Sequence, residues 1–139
     1  MKYLITIILI FSLMASAKAA NLTITVTNIK ETKGSIVIGI FNNKESFPKN
    51  GRETKQLFIA ADADEVTKTI TGLPDGEYAI AIYHDKNSDG VCNKNILGIP
   101  QEGFGFSNNF KPRLKSPAFA DVKFNVKENA HILIKLLYF

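Results

Sequence analysis

Oxygen-bearing side chains stand at every second position in the stretch "HDKNSDGVCNKN": Asp85, Asn87 and Asp89, followed at once by Gly90. That is the ligand order of a calcium loop, in which a glycine allows the sharp bend that brings alternate oxygens together. With Asp85 as the first ligand, the Val91 carbonyl and the Asn93 side chain fall where such a loop places its later ligands. The place of the closing bidentate glutamate is taken by Ile96, so a shell around Ca²⁺ would need Asn95, Glu102 or Asp75 to complete it. Asp85 and Asp89 balance the charge of one Ca²⁺, while Lys86 and Lys94 oppose it, which sets the expected affinity no tighter than the ~10⁻⁴–10⁻³ M class of extracellular modules. The competing reading is a polar turn whose Asp and Asn side chains bond their own backbone.

A second stretch, "EGFGFSNNF", sets Phe104, Phe106 and Phe110 among Gly103, Gly105 and small polar residues. The phenylalanines either plug the end of the core or form an aromatic platform for a sugar or a peptide. His84 is in phase with Tyr78 and Ile82, which suits a buried histidine bonded to loop carbonyls more than a ligand or a base. His84, Glu102, Phe104, Phe106, Ser107 and Asn108 together form the candidate ligand-facing loop. Ser107 with His84 and Asp85 is the one combination resembling a catalytic triad, and G-x-S-x-G, H-E-x-x-H and multi-cysteine patterns are all absent. The expectation is a non-enzymatic protein, with a hydrolase as the alternative. Cys92 is the only cysteine, so no internal disulfide forms, and the residue is either buried or a reactive thiol.

These residues must be positioned by strands. Leu22, Ile24 and Val26 alternate with threonines, Ile36, Ile38 and Ile40 repeat the pattern after "ETKG", and the two segments read as a hairpin. "QLFIA" and "EVTKTIT" flank a "DAD" turn, and "GLPDG" precedes "EYAIAIYHD", whose two apolar faces mark a central strand. Ala120, Val122, Phe124 and Val126 alternate with polar residues, and "HILIKLLYF" should turn Ile132, Ile134 and Leu136 inward. The sum is an all-β fold: an antiparallel two-sheet sandwich of about seven strands, immunoglobulin-like or transthyretin-like. Pro48 and Gly51 restrict "NNKESFPKNGRE" to a single helical turn at most. An outer-membrane barrel, suggested by the terminal Tyr138-Phe139, needs longer strands than these.

At the N-terminus, Lys2, the apolar "LITIILIFSLMA" and the small-residue "AKA" are ordered as in a secretory signal peptide, residues 1–19, leaving residues 20–139 as one domain. The apolar run is too short for a membrane span, so the cleaved protein is expected free in the periplasm or outside the cell. Much of the formal charge of +4 belongs to Lys2 and Lys18, and the remaining cations are scattered, which argues against a nucleic-acid partner. A small ligand, a sugar or a protein remains as the expected partner. Two hypotheses stand: a binding or accessory module, and a structural domain whose loops cap its own core.

The stretch "LPDGEYAIAIYHDKNSDG", with Gly76, Tyr78, His84, Asp85, Asn87, Asp89 and Gly90, leads into "LGIPQEGFGFSNN" and later "SPAFADVKFNV". In these motifs the chain resembles the bacterial secreted family designated domain of unknown function 2141. The resemblance implies an exported β-sandwich and brings no established activity with it. Where the family commonly has Leu and Asp, this chain has Cys92 and Asn93, one carboxylate fewer for a metal.

Overall fold

The structure, a computed structural model, describes residues 18–139. The expected signal peptide lies outside the described residues except for Lys18 and Ala19. Eight strands run through the remainder: β1 (Ala19–Thr27), β2 (Ser35–Phe41), β3 (Lys55–Ala60), β4 (Val66–Pro74), β5 (Gly76–Asp85), β6 (Phe104–Phe106), β7 (Phe124–Val126) and β8 (Ala130–Lys135), with one helical turn, α1 (Phe119–Val122). They form a two-sheet β-sandwich, β4-β1-β8 against β3-β2-β5-β6, in which β7 also pairs with β5.

Alternation decides the packing. Leu22, Ile24 and Val26 of β1 and Ile36, Ile38 and Ile40 of β2 are all buried, and they meet in one cluster with Ile80, Ile82, Ile134 and Leu136. Burying each such side chain stabilises the fold by about 1.5–3 kcal/mol. The two strands are not the hairpin expected of them: β1 pairs with β4 and β8, whereas β2 pairs with β3 and β5. Periodicity states which face of a strand is buried, not which strand lies beside it. The link between them turns at Asn28 and Gly34, both with positive φ, and Ile29 donates its N–H to the Asp64 carbonyl at 3.0 Å while its side chain joins the core. The chain thus crosses from one sheet to the other, and the isoleucines of β1 and β2 face each other. One ladder departs from the antiparallel expectation, because β1 and β8 run parallel.

The expected strand over Ala120–Val126 is shorter than its alternation suggests. Asp121 accepts the Ala118 N–H at 2.8 Å and closes α1, so only β7 remains extended. Val122 and Val126 are both fully buried but belong to different clusters, which a single strand face would not allow.

β5 is central, as its two apolar faces require. Its inner residues Tyr78, Ile80 and Ile82 enter the main core. Its outer residues Ala79, Ala81 and Tyr83 join a second cluster with Phe41, Phe47, Phe104 and Phe106. Phe47 meets the Phe41 ring edge-on at 5.2 Å and approaches Phe106 and Phe119 at 6.2 Å, so one end of the outer face is closed by aromatic packing. Beyond it, Ala81 and Tyr83 stay half-exposed.

Candidate functional site

His84 and Asp85 end β5, and the chain then runs through the polar loop before returning at β6. Asp85 is almost fully buried, and its carboxylate accepts the Asp89 N–H at 3.1 Å on Oδ1 and the Gly90 N–H at 2.9 Å on Oδ2. Asp89 accepts the Val91 N–H at 3.0 Å on Oδ1, while its Oδ2 accepts the side-chain amides of Asn87 at 2.9 Å and Asn93 at 3.0 Å. These contacts, the Val91 N–H foremost, hold the Asp89 carboxyl below its usual range. Glu102, also buried, bridges the two sides of the loop, accepting Lys86 N–H at 3.1 Å on Oε1 and Asn93 N–H at 3.2 Å on Oε2. Asn95 turns its oxygen back onto the N–H groups of Leu97 and Ile99 at 2.9 and 3.1 Å. Every carboxylate oxygen of Asp85, Asp89 and Glu102 thus holds a donor of the loop itself. Among the described residues no group of three or more His, Cys, Asp or Glu side chains is placed to hold a metal ion. For Ca²⁺ to sit here, Asn87 and Asn93 would have to turn their N–H groups away from Asp89 and present oxygens instead.

The other sequence-selected residues serve as ties. His84 is fully buried on the inner face and donates from Nε2 to the Lys33 carbonyl at 2.6 Å, while Nδ1 has no partner. It thereby fixes the corner at Gly34, where an added Cβ would lie 2.1 Å from the Asp85 carbonyl oxygen. Ser107 lies where the far edge of β5 changes partner: β6 pairs with Ala81–Tyr83 and β7 with Gly76–Tyr78, and between them the Ile80 N–H donates to Ser107 Oγ at 3.0 Å. The Ser107 hydroxyl in turn donates to the Val122 carbonyl. Asn108 donates to the Lys123 carbonyl at 3.0 Å, and both Asn108 and Asn109 take positive φ. The Ser107–His84–Asp85 combination is therefore not assembled as a relay, because each member bonds elsewhere. His131 is exposed, and its Nε2 lies 2.9 Å from Thr25 Oγ1.

Phe104 and Phe106 are buried rather than displayed. They do, however, help to floor a groove that no motif announced. It measures about 610 Å³ and lies on the outer face of the larger sheet. Across that face Gly39 of β2 aligns with Ala81 of β5, and Ala81 aligns with Phe106 of β6. The adjacent row is Val37, Tyr83 and Phe104. Two small residues at the centre of a row of larger ones leave a depression. One wall is the end of the polar loop, where Val91, Cys92, Lys94 and Leu97 face the groove; other walls come from Lys49 and Glu53, and from Arg113 to Lys115.

Floor and wall are joined by Tyr83, whose hydroxyl donates to the Gly90 carbonyl at 2.9 Å. Burial, with Asp85 as a smaller contributor, pushes the Tyr83 phenol up to about 12, so it stays a donor across the ordinary pH range. Burial likewise raises the Cys92 thiol, which disfavours its reactive thiolate form. Of the twelve residues selected from sequence as metal or ligand-facing candidates, only Val91, Phe104 and Phe106 line the groove. Gly39 and Ala81 were missed. The available signal was that "SIVIGIF" and "YAIAIYH" are apolar on both faces, more than one sandwich interior needs.

A family model described as "Uncharacterized protein conserved in bacteria (DUF2141)" matches residues 24–133. No curated protein and no solved structure matches the chain. Among the described residues no helix is long and apolar enough to cross a membrane.

Proposed function

The chain belongs to the bacterial family designated domain of unknown function 2141, and from that premise we propose that it is an exported, non-enzymatic binding module whose ligand occupies the groove on the outer face of the larger sheet. The groove is the observation that carries this reading: about 610 Å³ of concave, largely apolar surface, within the ~300–1,000 Å³ typical of small-molecule sites. Apolar rim residues add to it, with Leu97 77% and Leu114 fully exposed to solvent. Export to the periplasm or beyond rests on the order of charged, apolar and small residues in 1–19.

In this reading the Asp85–Asn95 loop is scaffold. Its carboxylates fold the backbone into the groove wall and Tyr83 ties that wall to the floor, so the loop needs no Ca²⁺ to keep its shape. A purely structural role accounts for the buried Phe104 and Phe106, but it gives no reason for the half-exposed Ala81 and the exposed Leu97 and Leu114 around the groove.

The test is titration of the purified protein with N-phenylnaphthylamine, a neutral dye that fluoresces in apolar surroundings. Saturable one-to-one binding that Ala81→Leu weakens at least tenfold is expected. Absence of saturable binding, or binding indifferent to Ala81→Leu, refutes the groove. Ala81 is the suitable position because it lines the groove and is only half-buried, whereas a Cβ at Gly39 would meet Glu53 at 2.9 Å and the Phe41 ring at 3.0 Å.

A further inference from the structure

We propose that the ligand is an anionic amphiphile, a single molecule with an apolar chain and a carboxylate head; this rests on the groove being the binding site and specifies the chemistry it selects. The floor of Val37, Gly39, Ala81, Phe104 and Phe106 offers side chains without polar atoms, and its backbone groups are engaged in the ladders of β2, β5 and β6. Such a floor favours hydrocarbon, and the polar lining side chains, Asn50, Gln56 and Ser116 among them, stand on the walls.

The charges around it are one-sided. Lys49, Lys94, Arg113 and Lys115 line the groove, and Glu53 is the one acidic side chain among the lining residues, with Phe139 and its main-chain carboxylate at the margin. Three separate segments of chain deliver these four cations to one rim, all four are exposed, and none takes part in an ion pair among the described residues. Elsewhere the protein does pair its surface lysines: Lys86 with Glu31 at 2.9 Å and Lys123 with Glu77 at 2.7 Å. Unpaired cations around an apolar depression complement a molecule that carries both hydrocarbon and negative charge. The exposed Val91, Leu97 and Leu114 add apolar surface on two of those segments, placed to cover the chain while the head stays at the cationic rim. Because the apolar floor is recessed below the rim, a dissolved single chain reaches it and the flat surface of a bilayer does not.

The test compares dansylaminoundecanoic acid with its methyl ester, which share a chain and differ in charge. Expected are saturable binding of the acid about tenfold tighter than the ester, weakening as salt is added, and loss of both probes in Ala81→Leu. The Lys94→Glu/Arg113→Glu double variant, at two exposed positions, should lower affinity for the acid about tenfold and leave the ester unchanged. Equal affinity for acid and ester, with Ala81→Leu still removing both, overturns the charge selection while leaving the groove as the site. Failure of both probes and of the neutral dye overturns the site and the selection together. Sedimentation with phosphatidylglycerol vesicles without binding of the dissolved acid overturns the proposal in favour of a membrane surface.

Discussion

Replacing Asp85 with Asn isolates what the polar loop does. Asp85 is 4% exposed, and both oxygens hold backbone N–H groups, those of Asp89 and Gly90 at 3.1 and 2.9 Å. Asn keeps one acceptor oxygen and turns its –NH₂ toward the other N–H, so one bond to a charged acceptor becomes a buried donor facing a donor. A hydrogen bond to a charged group contributes about 1.5–3 kcal/mol, and the stranded N–H adds to its loss, so the expected destabilisation is about 2–4 kcal/mol. In a domain of this size that lowers the melting temperature by roughly 6–20 °C. Urea unfolding at constant m-value, run in chelator and again in ~10 mM calcium, provides the measurement. The loop that folds on its own carboxylates predicts the same loss in both media. A loss under about 0.5 kcal/mol refutes the clamp. A rise in wild-type stability with calcium, about 1.4 kcal/mol at ten times the dissociation constant, that vanishes in Asp85→Asn would place a metal on these oxygens and refute the scaffold reading.

Ser107→Ala strips the partner from the Ile80 N–H and the Val122 carbonyl, and should cost about 2–4 kcal/mol in the same urea assay; a near-neutral result would show that the edge of β5 is satisfied some other way. Tyr83, pushed up to about 12, should remain un-ionised in an absorbance titration well past pH 10. Because the unfolded chain releases that proton first, the phenol's contribution to stability is complete below pH ~10 and is lost as pH rises toward its folded value; ionisation near pH ~10 would refute the burial argument. Asp89, held below its usual 3.8, contributes stability above that value and loses it as pH falls through the depressed one, so a carboxyl resonance with a midpoint at or above 3.8 would contradict the bonds drawn to it.

The two-sheet fold was legible because alternation survives in β1, β2 and β5, where every second residue, most often an isoleucine, leucine or valine, is pressed inward. The pairing of β1 with β2 was misread, since the same isoleucines satisfy a hairpin and a crossing equally well; the difference lies in the Ile29 to Asp64 bond, between residues far apart in sequence. "FADV" alternates like a strand yet is curled by the Asp121 side chain, a local bond that outweighs propensity over so few residues. At the site, the oxygen spacing of Asp85, Asn87 and Asp89 was visible, but whether those oxygens face a cation or an N–H group depends on backbone direction. Gly39 and Ala81 carry no chemistry of their own. Their meaning lies in being small beside Phe106, which emerges only when β2, β5 and β6 are placed side by side.

The parallel pairing of β1 with β8 bears on the order in which the protein can form. Asn21 receives its side-chain partner from Asn129, 108 residues along the chain, and the ladder continues upward from Leu22 with Ala130 to Thr27 with Lys135. A chain emerging N-terminus first therefore exposes β1 early, with β4 as its one ladder partner among the described strands until β8 has appeared. Until then one flank of a strongly apolar strand stays unsealed, open to chaperones and to other copies of itself. Closing a contact over so long a span is slow, which gives the β1–β8 ladder the timing of a late step in folding.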